Sequence, residues 1–441
     1  MIKLRKISGK QQIIRYIKKM AISARYMTLD QWIITGLIIM LPGTSIIANL
    51  LMMTGIGAMQ DIGLKDMIFE GTMAVFICAA AGFALFHPKR RAKMMKHPAF
   101  FVTMALLPLM VIPAVLSGNK IGIILGGVMW ALLTVGVYAS SIMNRRFYAS
   151  ILDLLLALSV IASIWGVIDY YVNEPMVFDE VRTASFFYNA NHYGYAIELF
   201  SIIALCRFVR RTRPIYLMVF GINLASIMLC GCRAAWGAVF VSAAVLIVFK
   251  LRGKQLLLGI TVAALLSTLM LVIVLPEISQ RFTGEVIYRA FERRLAMFSN
   301  AIRWIKESPV TGYGMGSYYM LSVREGVTHS GKYLFHAHNL FLGLTLDFGL
   351  LGFAAFILYI WQMVVSAFSR EFIGRYSYVS AISLTLIIAT AVHGMIDFPV
   401  SSCFTGLLIV IILSGSSIMR NDSARAEVIS DPAGVVENSM K

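Results

Sequence analysis

The chain has 441 residues, 59% of them hydrophobic and only 14% charged, with a mean hydropathy of +0.78. Soluble domains carry roughly 25% charged residues, so this composition excludes a water-facing surface and suits a lipid-facing one. The net charge of +17 would suggest a nucleic-acid partner only if the basic residues shared one surface, and they are instead scattered through short connections. Cys78, Cys206, Cys230, Cys232 and Cys403 lie in or beside apolar runs with no CxxC pair, and read as small hydrophobes in helices.

Lys3, Arg5, Lys6, Lys10, Arg15, Lys18, Lys19 and Arg25 precede an apolar run that begins at Trp32. That run is too long for the core of a signal peptide, and no small-residue cleavage site follows it. Residues 1–31 are therefore expected to form a basic cytoplasmic tail before a retained first helix. A spanning helix needs about 20 mostly apolar residues. Such runs lie near 32–57, 67–86, 99–117, 121–141, 150–170, 191–206, 215–231, 234–249, 256–275, 348–368, 377–394 and 400–418. The pattern predicts an all-α integral membrane fold of about 12 transmembrane helices, nine within 32–275 and three within 338–418.

With the N-terminus inside, 27 of the 39 lysines and arginines fall on inside segments, and eight of the remainder sit in one outer loop. This bias sets the orientation, with both ends in the cytoplasm and 419–441 as a polar tail. The loop, 276–337, is the one segment that breaks the membrane rhythm. A smaller outer loop runs from Tyr171 to Ala190.

Within the large loop, Ile287, Phe291, Leu295, Phe298, Ile302 and Ile305 recur at steps of three and four, which predicts an amphipathic helix. Ser308-Pro309 and then Gly312, Gly314 and Gly316 end it and predict a flexible turn. On the helical wheel Arg289 and Arg293 face away from the apolar stripe. Arg294 falls at its edge, which calls for a counter-charge from a protein carboxylate or an anionic ligand. Arg233 stands at the junction of two apolar runs, where an arginine normally faces a cavity or partner, or reaches to the interface. Its planar fork can grip a phosphate at two points. His336-Ala337-His338-Asn339 closes the loop. No Asp, Glu or Cys near in sequence supplies a third ligand, so no metal site is expected there. The two histidines, separated by one residue, are expected to face opposite ways, with only one turned to the site. The glycine turn lacks the Lys-Ser/Thr of a phosphate-binding loop and is no nucleotide site.

Four patches resemble the O-antigen ligase family, which groups ligases with related polysaccharide polymerases. The first is Arg182-Thr-Ala-Ser-Phe-Phe-Tyr-Asn189-Ala-Asn191, where Ala190 replaces the family's proline. Arg233 within Cys-Arg-Ala-Ala-Trp is the second. Arg294-x-x-x-Phe298 followed by Ser308-Pro309-x-x-Gly312-x-Gly314 is the third, with Phe298 where the family usually has Trp. The fourth is His338-Asn339 followed by Asp347-Phe-Gly-Leu-Leu-Gly352, together with His393-x-x-x-Asp397. The resemblance covers about residues 180–400.

The resemblance implies a GT-C-like membrane glycosyltransferase of the bacterial inner membrane, without a cofactor. It would move a glycan from an undecaprenyl-pyrophosphate-linked donor to a glycan or lipid-core acceptor hydroxyl on the extracytoplasmic face. Arg233, Arg294 and Arg182 are then expected to hold the pyrophosphate, whose charge grows as the glycosidic bond breaks. His338 is expected to take the acceptor's proton, with inversion at the anomeric carbon. Asn191, Asn339, His336, His393 and Asp397 would give support. The alternative is a transporter or flippase of lipid-linked glycans, but only Asp153 and Glu198 are clear mid-span acids and no internal repeat is visible.

Overall fold

The computed structural model describes residues 27–53, 62–173, 176–177, 180–187, 189–250, 284–328 and 333–422. The basic tail, the expected span at 256–275, the first residues of the large loop and the end of the polar tail lie outside these. The described residues are helical apart from loops and one antiparallel pair of two-residue strands, β1 (Met176–Val177) and β2 (Glu180–Val181).

Eight helices among the described residues are long and apolar enough to cross a membrane, and three shorter apolar ones accompany them. Together they fall on eleven of the twelve expected runs, and the remaining run, 256–275, is not among the described residues. Pro214–Cys230 is short because it starts at a proline and stops where Gly231 turns left-handed at φ 66°. Its 17 residues rise about 26 Å at ~1.5 Å each, short of the ~30 Å hydrocarbon core.

The first half of the chain supplies α1 (Leu29–Met53), α2 (Ile62–Phe86), α3 (Pro88–Met95), α4 (Ala99–Leu116), α5 (Lys120–Ile142) and α6 (Arg145–Asn173). The helices that frame the site follow: α7 (Ala190–Arg211), α8 (Pro214–Cys230) and α9 (Arg233–Lys250). The α7 helix packs along α8 and against α9 and α13 (Arg370–Gly394), and α14 (Cys403–Leu413) leans on α5. Small residues permit the close approaches. A Cβ on Gly194 of α7 would come within 2.6 Å of the Cys232 side chain in the turn between α8 and α9.

The large loop folds into α10 (Gly284–Glu307) and α11 (Ser317–Glu325) ahead of α12 (Leu340–Val364). The amphipathic helix is where the periodicity predicts it, but its protein-facing side is not the expected stripe. Phe291, Leu295 and Ile302 are exposed, whereas Met297, Ala301 and Trp304 are buried with Tyr318, Leu321, Ala337 and Leu346 in a separate small core. The helix therefore packs through a face rotated by roughly a third of a turn, built on Ala301 and one large indole. Arg294 keeps its place at the edge of the buried side.

The glycine turn is pinned, not flexible, which corrects the expectation for it. α12 starts at Leu340 rather than 348 and breaks at Gly349, whose φ 64° and ψ −178° only glycine readily adopts. The break frees backbone groups that the turn satisfies. Tyr313 N–H donates to the Leu346 carbonyl at 3.1 Å and Gly314 N–H to that of Asp347 at 2.7 Å. In return, Leu350 N–H donates to the Pro309 carbonyl at 2.9 Å. A Cβ on Gly349 would overlap the Val310 carbonyl. The Asp347 carboxylate accepts from the Ser317 N–H and hydroxyl at 3.2 and 2.6 Å, holding the first turn of α11. The Asp347–Gly352 patch is thus the socket for the loop.

Candidate functional site

His338 and Asp397 meet at the N-terminal end of α12, with His338 Nδ1 3.0 Å from Asp397 Oδ1. His338 sits just before α12 in a left-handed conformation, φ 50°, uncommon for a residue with a Cβ. Asn339 fixes it there. Its Oδ1 accepts from Leu342 N–H at 2.9 Å as the N-cap of α12, and its amide donates to the Met395 carbonyl at 2.9 Å. Asp397 follows α13 in a tight turn, where its N–H donates to the His393 carbonyl at 3.0 Å and its Oδ1 also accepts from Phe398 N–H at 2.8 Å. Burial alone would raise the Asp397 carboxyl. The charge and hydrogen bond of His338, with His336 and His393 nearby, outweigh it and hold the group well below the usual carboxylate range. Asp397 is therefore a buried carboxylate aimed at an imidazole.

The expectation that the histidines face opposite ways fails. The His336 and His338 rings stand 4.4 Å apart, edge to face. Residues two apart in extended chain share a side, and it is Ala337 between them that turns into the loop's core. Burial, and then the neighbouring His338, push His336 down to about 3, so it is a neutral ring at physiological pH. The ground for setting a metal aside also changes. Asp397, distant in sequence, joins the two histidines, and one ligand atom from each lies within 4.8 Å of the others. Two histidines and a carboxylate are a donor set that could hold zinc.

The arginines divide. Arg294 of α10 reaches this turn, its Nε donating to the Ile396 carbonyl at 3.1 Å, one residue before Asp397. No carboxylate pairs with it among the described residues, which leaves most of its five N–H donors for other work. Arg233 opens α9, half-buried, at a helix N-terminus where backbone N–H groups and the helix dipole favour an anion. Arg182 is committed to the scaffold: its Nε donates to the Cys230 carbonyl at 2.9 Å and one Nη to Asn191 Oδ1 at 2.8 Å. It ties the start of α7 to the turn before Arg233. Asn189 caps α7, accepting from Asn191 and His192 N–H groups. Arg293 is exposed, as expected, and the side chain of Arg289 lies outside the described residues.

His393 is buried and pairs with Glu198 at 2.6 Å. Cys232, in the turn that carries Arg233, lies within electrostatic reach of His393. The sequence reading missed His192 and Glu70. His192 Nε2 lies 3.1 Å from Ser401 Oγ and its Nδ1 3.8 Å from Glu70 Oε1, within electrostatic reach of Asp397 and His336. His192 directly follows Asn191 in the first patch, which was the available signal; Glu70, on α2, had none.

The fold and this gathering of basic and titratable side chains at one end of the bundle define a multi-pass helical membrane protein with a polar site beside its loop. A family model described as O-antigen ligase matches residues 217–357, which include Arg233, Arg294, His336, His338 and Asn339. That match supports the O-antigen ligase family, the resemblance read from the four patches. No curated protein matches the chain.

Proposed function

We propose that the protein is a membrane glycosyltransferase of the O-antigen ligase or polymerase type, acting on the extracytoplasmic face of the bacterial inner membrane. Its donor is a glycan on undecaprenyl pyrophosphate and its acceptor a hydroxyl of another glycan or of a lipid core. The observation that carries this reading is the convergence of an oriented imidazole, His338 on Asp397, with a cation, Arg294, at one short turn. The acceptor hydroxyl loses its proton to His338 as its oxygen bonds to the anomeric carbon. The bond from that carbon to the pyrophosphate breaks, and the electron pair leaves with the phosphate. Arg294 and Arg233 stabilise the charge that grows there, as fixed cations lower the barrier to its formation. Attack opposite the leaving group inverts the anomeric centre. Arg182 and Asn191 serve this site by bracing the turn before Arg233, and Asp397 by orienting and charging the base.

This mechanism needs no metal. The His336, His338 and Asp397 cluster favours a second reading, in which a divalent ion polarises the leaving group or the acceptor. The direct hydrogen bond between His338 and Asp397 supports the first. A transporter is disfavoured because both mid-span acids are engaged: Asp153 with Arg207 at 3.1 Å and Glu198 with His393 at 2.6 Å. Transfer from a purified lipid-linked donor by the reconstituted protein tests the proposal.

A further inference from the structure

The large loop carries an aromatic surface that the transfer chemistry leaves unused. Phe335 is 62% exposed, and one face of its ring stacks on Tyr319 with centroids 4.7 Å apart and planes inclined by 8°. Tyr333, 41% exposed, meets Tyr319 edge-on at 6.3 Å. The platform is firmly mounted. Tyr319 belongs to α11, whose first turn is held by Asp347 and whose Tyr318 packs edge-on against Trp304 at 5.2 Å. Trp304 Nε1 in turn donates to Glu325 Oε1 at 2.8 Å, at the other end of α11.

Position gives the platform its meaning. The platform stands on the segment that leads into the proposed base: Phe335 immediately precedes His336, whose ring contacts that of His338. It lies on the loop, outside every candidate membrane span. An aromatic face is electron-rich, and the C–H bonds on one face of a pyranose ring are weakly positive, so the two pack face to face. Tyrosine hydroxyls at the rim can give or accept hydrogen bonds with sugar hydroxyls. We propose that Phe335, stacked on Tyr319 and flanked by Tyr333, is a subsite for one pyranose ring of the glycan. The inference rests on the transferase reading and adds the part of the substrate that this surface holds.

The test uses the full-length protein in proteoliposomes with purified lipid-linked donor and acceptor, and the variants Phe335→Ala, Phe335→Leu and Phe335→Tyr. Leu keeps apolar bulk without a π face, and Tyr keeps the face. Stacking of this kind corresponds to about a tenfold change in affinity. Phe335→Ala and Phe335→Leu should each raise one KM by about tenfold with kcat little changed, and Phe335→Tyr should match the wild type. A shift in the acceptor KM assigns the ring to the acceptor, and a shift in the donor KM to the donor glycan. Wild-type KM values in Phe335→Ala, or an active Phe335→Leu beside an impaired Phe335→Ala, would overturn the subsite in favour of simple apolar contact. A separate arm does not depend on turnover: saturation-transfer NMR with the free glycan released from the donor. Signal transfer to the glycan that is lost in Phe335→Leu supports the subsite even if transfer itself fails, and equal transfer in both proteins sinks it.

Discussion

His338 Nδ1 stands 3.0 Å from Asp397 Oδ1 although 59 residues of chain separate them. The pairing closes the end of α12 onto the end of α13, and Asn339 seals it through the Met395 carbonyl. An imidazole whose Nδ1 is fixed to a carboxylate presents the other nitrogen outward in a set tautomer, which is what a proton acceptor requires. Asp397→Asn keeps the shape but removes the charge. It should lower kcat at least tenfold, towards the ~10²–10⁴-fold that a positioned base contributes, with the donor KM nearly unchanged. A purely structural role for Asp397 would show instead as lost protein in the membrane with normal kcat per molecule.

Much of this architecture was legible in the chain. Apolar runs located the helices, and three-four spacing located α10, because both signals are local. Arg233, Arg294, His338 and Asn339 stood out as polar residues at the ends of apolar segments. What stayed hidden depended on contacts between distant segments. The pinning of Gly312–Gly316 depends on backbone groups freed at Gly349, and the turn alone gives no sign of it. The exposed stripe of Phe291, Leu295 and Ile302 shows that periodicity finds an amphipathic face without saying what covers it. Asp397 reaches His338 only through the packing of α13, so the absence of a nearby acid in sequence said nothing about the site.

Arg294→Ala and Arg233→Ala should each cut transfer by about 10²–10³-fold, the usual effect of removing a preorganised charge stabiliser. Lysine should rescue poorly, because it lacks the planar fork. Arg293→Ala should stay near wild type, since that side chain is exposed. Initial rates measured at matched membrane abundance decide this. A dead Arg293→Ala beside an active Arg294→Ala would contradict the assigned orientation of α10.

The folded protein keeps His336 neutral, at about 3 against an ordinary 6.5. Between those values the unfolded chain binds a proton that the folded chain refuses. Stability from this group is therefore full above pH 6.5 and declines as pH falls towards 3. Asp397, held low by the histidines, adds its own loss only below the ordinary carboxylate value of 3.8. Thermal unfolding in detergent from about pH 7.5 down to about 4 should show the decline in the wild type and a flatter profile in His336→Gln. Equal slopes in the two proteins would contradict a buried neutral His336.

The distribution of basic residues predicts a site outside the cytoplasm. Reporter fusions after Lys96 and Arg211 should read cytoplasmic, and a fusion near Lys332 external. An external signal at Arg211 would turn the bundle over and put Arg233 and His338 on the wrong face for an exported donor.

The central claim is metal-independent transfer with His338 as the base, and in vitro transfer from purified lipid-linked donor, with and without EDTA, tests it most directly. The account predicts transfer that EDTA leaves intact and that His338→Ala lowers by at least ~10²-fold while donor binding persists. Activity abolished by EDTA and restored by a divalent ion would contradict it, and would assign His336, His338 and Asp397 to a metal instead.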